Sequence, residues 1–174
     1  MVEDSTNEVR KMIDFMYTGD YTLDHESQKT DAENYADDLQ AHARLFALAE
    51  KYQVDDLQSL SAGRYERMLE NGFGVNGFLA SLRDVYLLTP SSVRRLRDSA
   101  IRFSRKHMEI IIKKRKDEFD VITMSLTEFA KDLLSSYTEA PVLGNCYQCG
   151  NYKKMECLQL RCLQCGKGGG RTLQ

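Results

Sequence analysis

Up to Tyr137, apolar residues in this chain recur three and four positions apart, segment after segment. That spacing marks one face of a helix, not the alternation of a half-buried strand. A proline inside a helix removes a backbone N–H and clashes with the preceding turn, and only Pro90 and Pro141 occur here. The pattern therefore predicts a mainly α protein. Val9, Met12, Ile13 and Met16 mark the first helix. Asn7 or Thr6 suits its N-cap, Glu8 its first turn, and Gly19 its left-handed stop. Tyr21 to Leu23 alternates like one very short strand, and residues 24–36 read as a polar loop. A second helix is expected from about Asp38 to Tyr52, with Leu45, Phe46, Leu48, Ala49 and Tyr52 giving it a wide apolar surface. Gln53 interrupts, and Asp55 caps a third helix carrying Leu57, Leu60, Tyr65 and Met68. Gly72, Gly74 and Gly77 read as a turn, because a phosphate loop needs a preceding strand and a following Lys-Ser/Thr.

Phe78, Leu82, Val85 and Tyr86 predict a short helix that stops before Pro90. Thr89 and Pro90 then suit the cap and first position of the next, whose stripe is Val93, Leu96, Ala100, Phe103, His107, Ile110 and Ile111. Ser125 and Glu128 have capping-box spacing, with Met124 and Phe129 at the staple positions. Leu126, Phe129, Ala130, Leu133 and Tyr137 form the last stripe, and Pro141 and Gly144 mark a linker.

Hydrophobic residues make up 42% of the chain and charged residues 29%, enough for a core and against wholesale disorder. The net charge of -2 hides a polarity. Residues 1–62 carry 14 acidic against 5 basic side chains, and residues 94–116 carry 10 basic against 2 acidic. Such runs are mostly solvated helix faces, though they also steer partners. No apolar run is long enough to cross a membrane, and the acidic N-terminus is unlike a secretory signal. Cytoplasm or nucleus is the expectation, where thiols stay reduced.

Two stretches, EVRKMIDFMYTGDYTL from Glu8 and LQAHARLFALAEKYQVDDLQSLS from Leu39, resemble the second half of a BTB/POZ domain. The carrying residues are Phe15-Met16-Tyr17-Thr18-Gly19, then Ala49-Glu50-Lys51-Tyr52, then Val54-Asp55-Asp56-Leu57. The likeness is nearest to fungal members, which often carry a long polar loop at this point. It implies a partial BTB/POZ α/β fold over 1–70, with late helices and one short strand. Residues 75–140 resemble the helical extension that commonly follows such domains. The resemblance implies protein binding, self-association, and adaptor work on a cullin-type ubiquitin-ligase scaffold, with no contact residue assignable. A complete domain of this kind has about three strands and two helices before this point. The resemblance thus implies a truncated product, an incomplete gene model or a degenerate member. Leu45, Phe46, Ala49 and Tyr52 would then lose their usual cover and favour self-association.

All five cysteines lie between Cys146 and Cys165. Cys146-x2-Cys149 and Cys162-x2-Cys165 have the spacing of a structural Zn2+ site, with Gly150 and Gly166 trailing each pair. The segment between them alternates as a hairpin strand would. Residues 146–166 resemble a zinc ribbon, and 167–174 read as a flexible tail. A redox dithiol pair and metal-free cysteines are the alternatives, and Cys157 falls off the spacing. Four thiolates leave zinc no open position, so the site reads as a clamp.

No nucleophile motif or paired carboxylates appear, and His25, His42 and His107 read as loop or packing residues. The expectation is an interaction module and not an enzyme. One rival is nucleic-acid binding through the basic 94–116 helix and the basic ribbon, disfavoured because aromatic interleaving is thin. The other is a non-functional fragment of a longer BTB protein.

Overall fold

The computed structural model describes residues 5–23, 30–71, 74–139, 143–155 and 162–167, and the backbone of 171–172. Among the described residues the chain forms six helices, α1 (Thr6–Thr18), α2 (Asp31–Tyr52), α3 (Asp55–Asn71), α4 (Val75–Leu88), α5 (Arg95–Ser125) and α6 (Thr127–Glu139). Three short strands follow, β1 (Leu143–Cys146), β2 (Gly150–Lys154) and β3 (Arg171–Thr172). The protein is mainly α, as the apolar spacing requires. No described helix is long and apolar enough to cross a membrane. Two compact units divide the chain, Met1–Ala100 and Ile101–Gln174, with the boundary inside α5.

In the first unit, α1 ends as expected. Gly19 sits at φ 75° and its N–H donates to the Phe15 carbonyl. The expected strand at Tyr21–Leu23 does not form. No described segment pairs with it, and the Tyr21 carbonyl instead accepts from Arg64 Nη1 at 2.5 Å. α2 starts seven residues earlier than expected, at Asp31, because Thr30 and Glu33 close a capping box. The Glu33 N–H donates to Thr30 Oγ1 at 3.3 Å, and the Thr30 N–H to Glu33 Oε2 at 2.9 Å. Residues 31–36 are therefore helix, while 24–29 lie outside the described residues.

α2 is the centre of this unit, with α1, α3 and α4 packed against it. Leu45, Leu48 and Ala49 join Met12, Tyr21 and Leu57 in one buried cluster. Phe46 is 1% exposed. Three of the four residues expected to lack cover thus find it inside the unit. Tyr52 is the exception at 49% exposed. The glycine turn is also corrected. Gly74 caps α4 and Gly77 lies within it, where a Cβ would sit 2.9 Å from Ala36 Cα. These glycines let α4 approach α2, and Gly72 lies outside the described residues.

Thr89 ends α4 and does not begin α5. Its Oγ1 donates to the Val85 carbonyl at 2.5 Å, a bond one turn back that favours a helix end. Pro90 opens a turn closed by the Val93 N–H, and α5 starts only at Arg95. Arg97 is buried. Its guanidinium stacks on Tyr86 at 4.6 Å and Nη2 donates to the Tyr86 and Thr89 carbonyls.

In the second unit, α5 continues past its expected stripe to Ser125, with a kink at Arg115 (φ -142°, ψ 35°). α6 meets it through Phe119 and Phe129, whose rings stand edge-to-face at 6.2 Å. The expected staple is not made, since Met124 is 81% exposed while Phe129 turns to Phe119. Ser125 is the last residue of α5, its hydroxyl donating back to the Ile122 carbonyl. Leu126, Phe129 and Leu133 are buried as expected. Gly144 belongs to β1 and not to a linker, and Pro141 lies outside the described residues.

Candidate metal centre

The three strands form an antiparallel sheet in the order β2-β1-β3. β1 carries Cys146 into a tight turn that ends at Cys149. Gly150, at φ 89°, then lets the chain reverse into β2, where it pairs with Cys146. The second pair is built alike. Met155 bridges to Cys162, and the Leu163 N–H donates to the Lys154 carbonyl at 3.0 Å. The Gly166 N–H closes on the Cys162 carbonyl at 2.8 Å, with Gly166 at φ 68°. Only glycine takes such angles freely, which is the physical reason for a glycine after each pair. Lys167 accepts from the Cys162 N–H, and β3 pairs Arg171 with Asn145 and Thr172 with Gly144. Lys167 thus closes the second turn, and Arg171–Thr172 pair along the edge of β1.

These turns bring the four predicted thiols together. The sulfurs of Cys146, Cys149, Cys162 and Cys165 all lie within 4.8 Å of one another. Cys146 Sγ and Cys165 Sγ are 3.7 Å apart. Four sulfurs about 2.3 Å from one ion stand about 3.8 Å from each other, so the cluster is close enough to hold a metal. Cys146 and Cys162 are buried, Cys149 and Cys165 half-buried, and Met155 packs beneath them. The backbone N–H groups of Cys149 and Gln148 hold the Cys146 thiol down to about 7. Cys149 is pushed up to about 12, first by its hydrogen bond with Cys165 and then by burial. The Cys146 sulfur is thus favoured as an anion while Cys149 resists a second charge, an arrangement a divalent cation would relieve. Cys157 lies outside the described residues.

The histidines sit elsewhere. His42 is buried in α2 with Nδ1 hydrogen-bonded to the Tyr21 hydroxyl at 2.7 Å. Arg64 stacks on the Tyr21 ring at 4.3 Å and binds Asp20. His107 is half-buried beside Phe103, and His25 lies outside the described residues. Sequence reasoning missed this Asp20–Tyr21–His42–Arg64 set. Its members come from three elements up to 44 positions apart, and no local spacing signals it. A pocket of about 390 Å³ opens beside it, lined by Tyr35, His42, Arg64, Arg67, Met68 and Asn71. Arg64 and His42 Nδ1 are both engaged in these internal bonds.

No family model, curated protein or solved structure matches this chain.

Proposed function

We propose that this protein is a non-enzymatic protein-interaction module of BTB/POZ type, with a structural zinc ion clamping its C-terminal ribbon. The carrying observation is an apolar ridge on α1. Ile13, Met16 and Tyr17 lie at i, i+3 and i+4 on that helix and are exposed, Tyr17 at 88%. Tyr52 adds exposed apolar surface at the end of α2. Meanwhile Leu45, Phe46 and Ala49 are used up in the core, so any self-association would run through the ridge and not through them. The BTB/POZ reading draws on the helix that closes in Phe15-Met16-Tyr17-Thr18-Gly19 and on α2 ending in Ala49-Glu50-Lys51-Tyr52. The zinc reading draws on the all-thiol donor set, which suits a soft tetrahedral ion with its shell closed. A reducing compartment, cytoplasm or nucleus, goes with free thiols.

The immobilised chain would be compared with a Met16→Glu, Tyr17→Glu double variant, at low and high salt, by quantitative mass spectrometry of retained proteins. A cullin-type scaffold and a second copy of the chain are the first partners to add in pure form. A protein retained at both salts by the wild type and lost by the variant carries the reading. Retention that disappears with salt, or survives the double substitution, removes it.

A further inference from the structure

We propose that the metal-held ribbon binds single-stranded nucleic acid, through the rings of Tyr147 and Tyr152 and the ammonium groups of Lys153, Lys154 and Lys167. The inference goes beyond the protein-interaction reading of the helices, and it rests on the reading of the ribbon as a metal clamp. Its first ground is Tyr152. This residue holds φ 56°, a left-handed backbone that a bulky side chain adopts only at a cost. The residue is nevertheless 74% exposed. An Asn or Gly would hold the same backbone more cheaply. An exposed ring held on such a backbone is available to a ligand.

The second ground is what surrounds it. Tyr147, 71% exposed, sits in the turn between the first two cysteines of the cluster. Cys146 pairs with Gly150 and Gly144 with Lys153, so both tyrosines lie toward one end of one hairpin. They are separated along it by about two residues, or about 7 Å. Lys153 and Lys154 follow Tyr152 directly, and Lys167 reaches across from the second knuckle, its Nζ 3.5 Å from Gln148 Oε1, next to Tyr147. Residues 140–174 hold five Lys and Arg against Glu156 alone. Exposed aromatic faces interleaved with cations are what unpaired bases and their phosphates require. A duplex hides its base faces, and the ribbon's described residues include no helix to enter a major groove.

The basic stretch of α5, by contrast, is largely engaged. Arg94 pairs with Asp98, Arg95 with Glu66, Lys113 with Glu109, Arg115 with Glu118 and Lys116 with Asp120. Arg97 and Arg105 are spent on carbonyls and on the Tyr86 and Tyr137 rings. In the ribbon, Lys153 and Lys154 follow an exposed tyrosine directly.

The test uses the full chain, with metal content measured first by elemental analysis. A labelled oligothymidine and oligouridine of about twelve nucleotides are titrated by anisotropy across a salt series, beside a duplex of equal length. Micromolar binding is expected at low salt, falling with a log–log slope near -2 for about three phosphate contacts. Tyr152→Asn should weaken it about tenfold while leaving the metal bound and the ribbon no less stable, since asparagine tolerates the left-handed backbone. Tyr147→Ala should act similarly, and Lys153→Gln with Lys154→Gln should flatten the slope by about 1.4. Binding indifferent to both tyrosines, equal binding of duplex, or none by the metal-loaded chain overturns the proposal. So does an acidic protein that competes for the same tyrosines with higher affinity. A chain that carries no metal removes the clamp reading, and the inference falls with it.

Discussion

Phe46 in α2 and Cys162 in the ribbon are equally hidden from water, and the causes are opposite. Phe46 is buried because three neighbouring helices bring apolar faces onto α2, each contact small and the sum large. Cys162 is buried in a cluster of cysteines and one methionine, on strands of two to five residues. So small a unit lacks the apolar area to offset chain entropy, and a bound ion would supply the missing free energy. The first region should therefore fail gradually as its contacts are trimmed. The second should fail completely when one ligand is lost.

The largest expected effect tests that difference directly. Chelation, or Cys149→Ser, should unfold the ribbon outright, removing metal-binding free energy on the order of 10 kcal/mol. The far-UV signal of α2 to α4 should persist, and circular dichroism with elemental analysis checks both halves. Next, Phe46→Ala should cost the helical unit about 3 to 5 kcal/mol in denaturant melts, whereas Tyr52→Ala should stay within about 0.5 kcal/mol. Equal losses at the two positions would mean that α2 does not centre the core.

Acid should separate the regions a third way. Burial first, and the Arg64 charge second, hold His42 down to about 4 in the fold, against an ordinary value of 6.5. The unfolded chain then takes up a proton at His42 before the folded one does. The stability tied to this group is whole above about pH 6.5 and drains away as pH falls toward 4, by up to about 3 kcal/mol. His42→Asn should flatten that slope in urea melts across the window. Smaller still, Gly77→Ala should cost about 1 to 3 kcal/mol, because the new methyl meets Ala36 Cα at 2.9 Å and backbone must move.

The same contrast explains what the sequence disclosed. Helices announce themselves by local spacing, and most of the expected stripes are buried, but on α1 only Met12 is, while Ile13 and Met16 of the same stripe face outward because no described helix covers them. The four thiols were legible because paired two-residue gaps and trailing glycines encode the turns that converge them. Ends were read less well. Thr30 and Glu33 carried a capping box that the run of polar residues masked, and Thr89 hid its role by bonding backward. The close approach of α4 to α2 depended on Gly74 and Gly77 meeting Tyr35 and Ala36, a three-dimensional fit with no periodic signature. β3 was illegible for the same reason, since two residues carry no pattern and only the edge of β1 defines them.

Arg64 also bears on how quickly the helical unit comes together. Most of its packing joins helices that follow one another in sequence, a local topology that folds fast. The bond from Arg64 to the Tyr21 carbonyl closes a span of 43 residues and rewards the chain only after α2 and α3 have docked. It should be nearly absent from the transition state. Arg64→Ala is then expected to speed unfolding about tenfold, from about 1.5 kcal/mol lost, and to leave the refolding arm of the chevron almost unmoved. Arg64 would act as a latch on the lifetime of the folded state, with no part in reaching it.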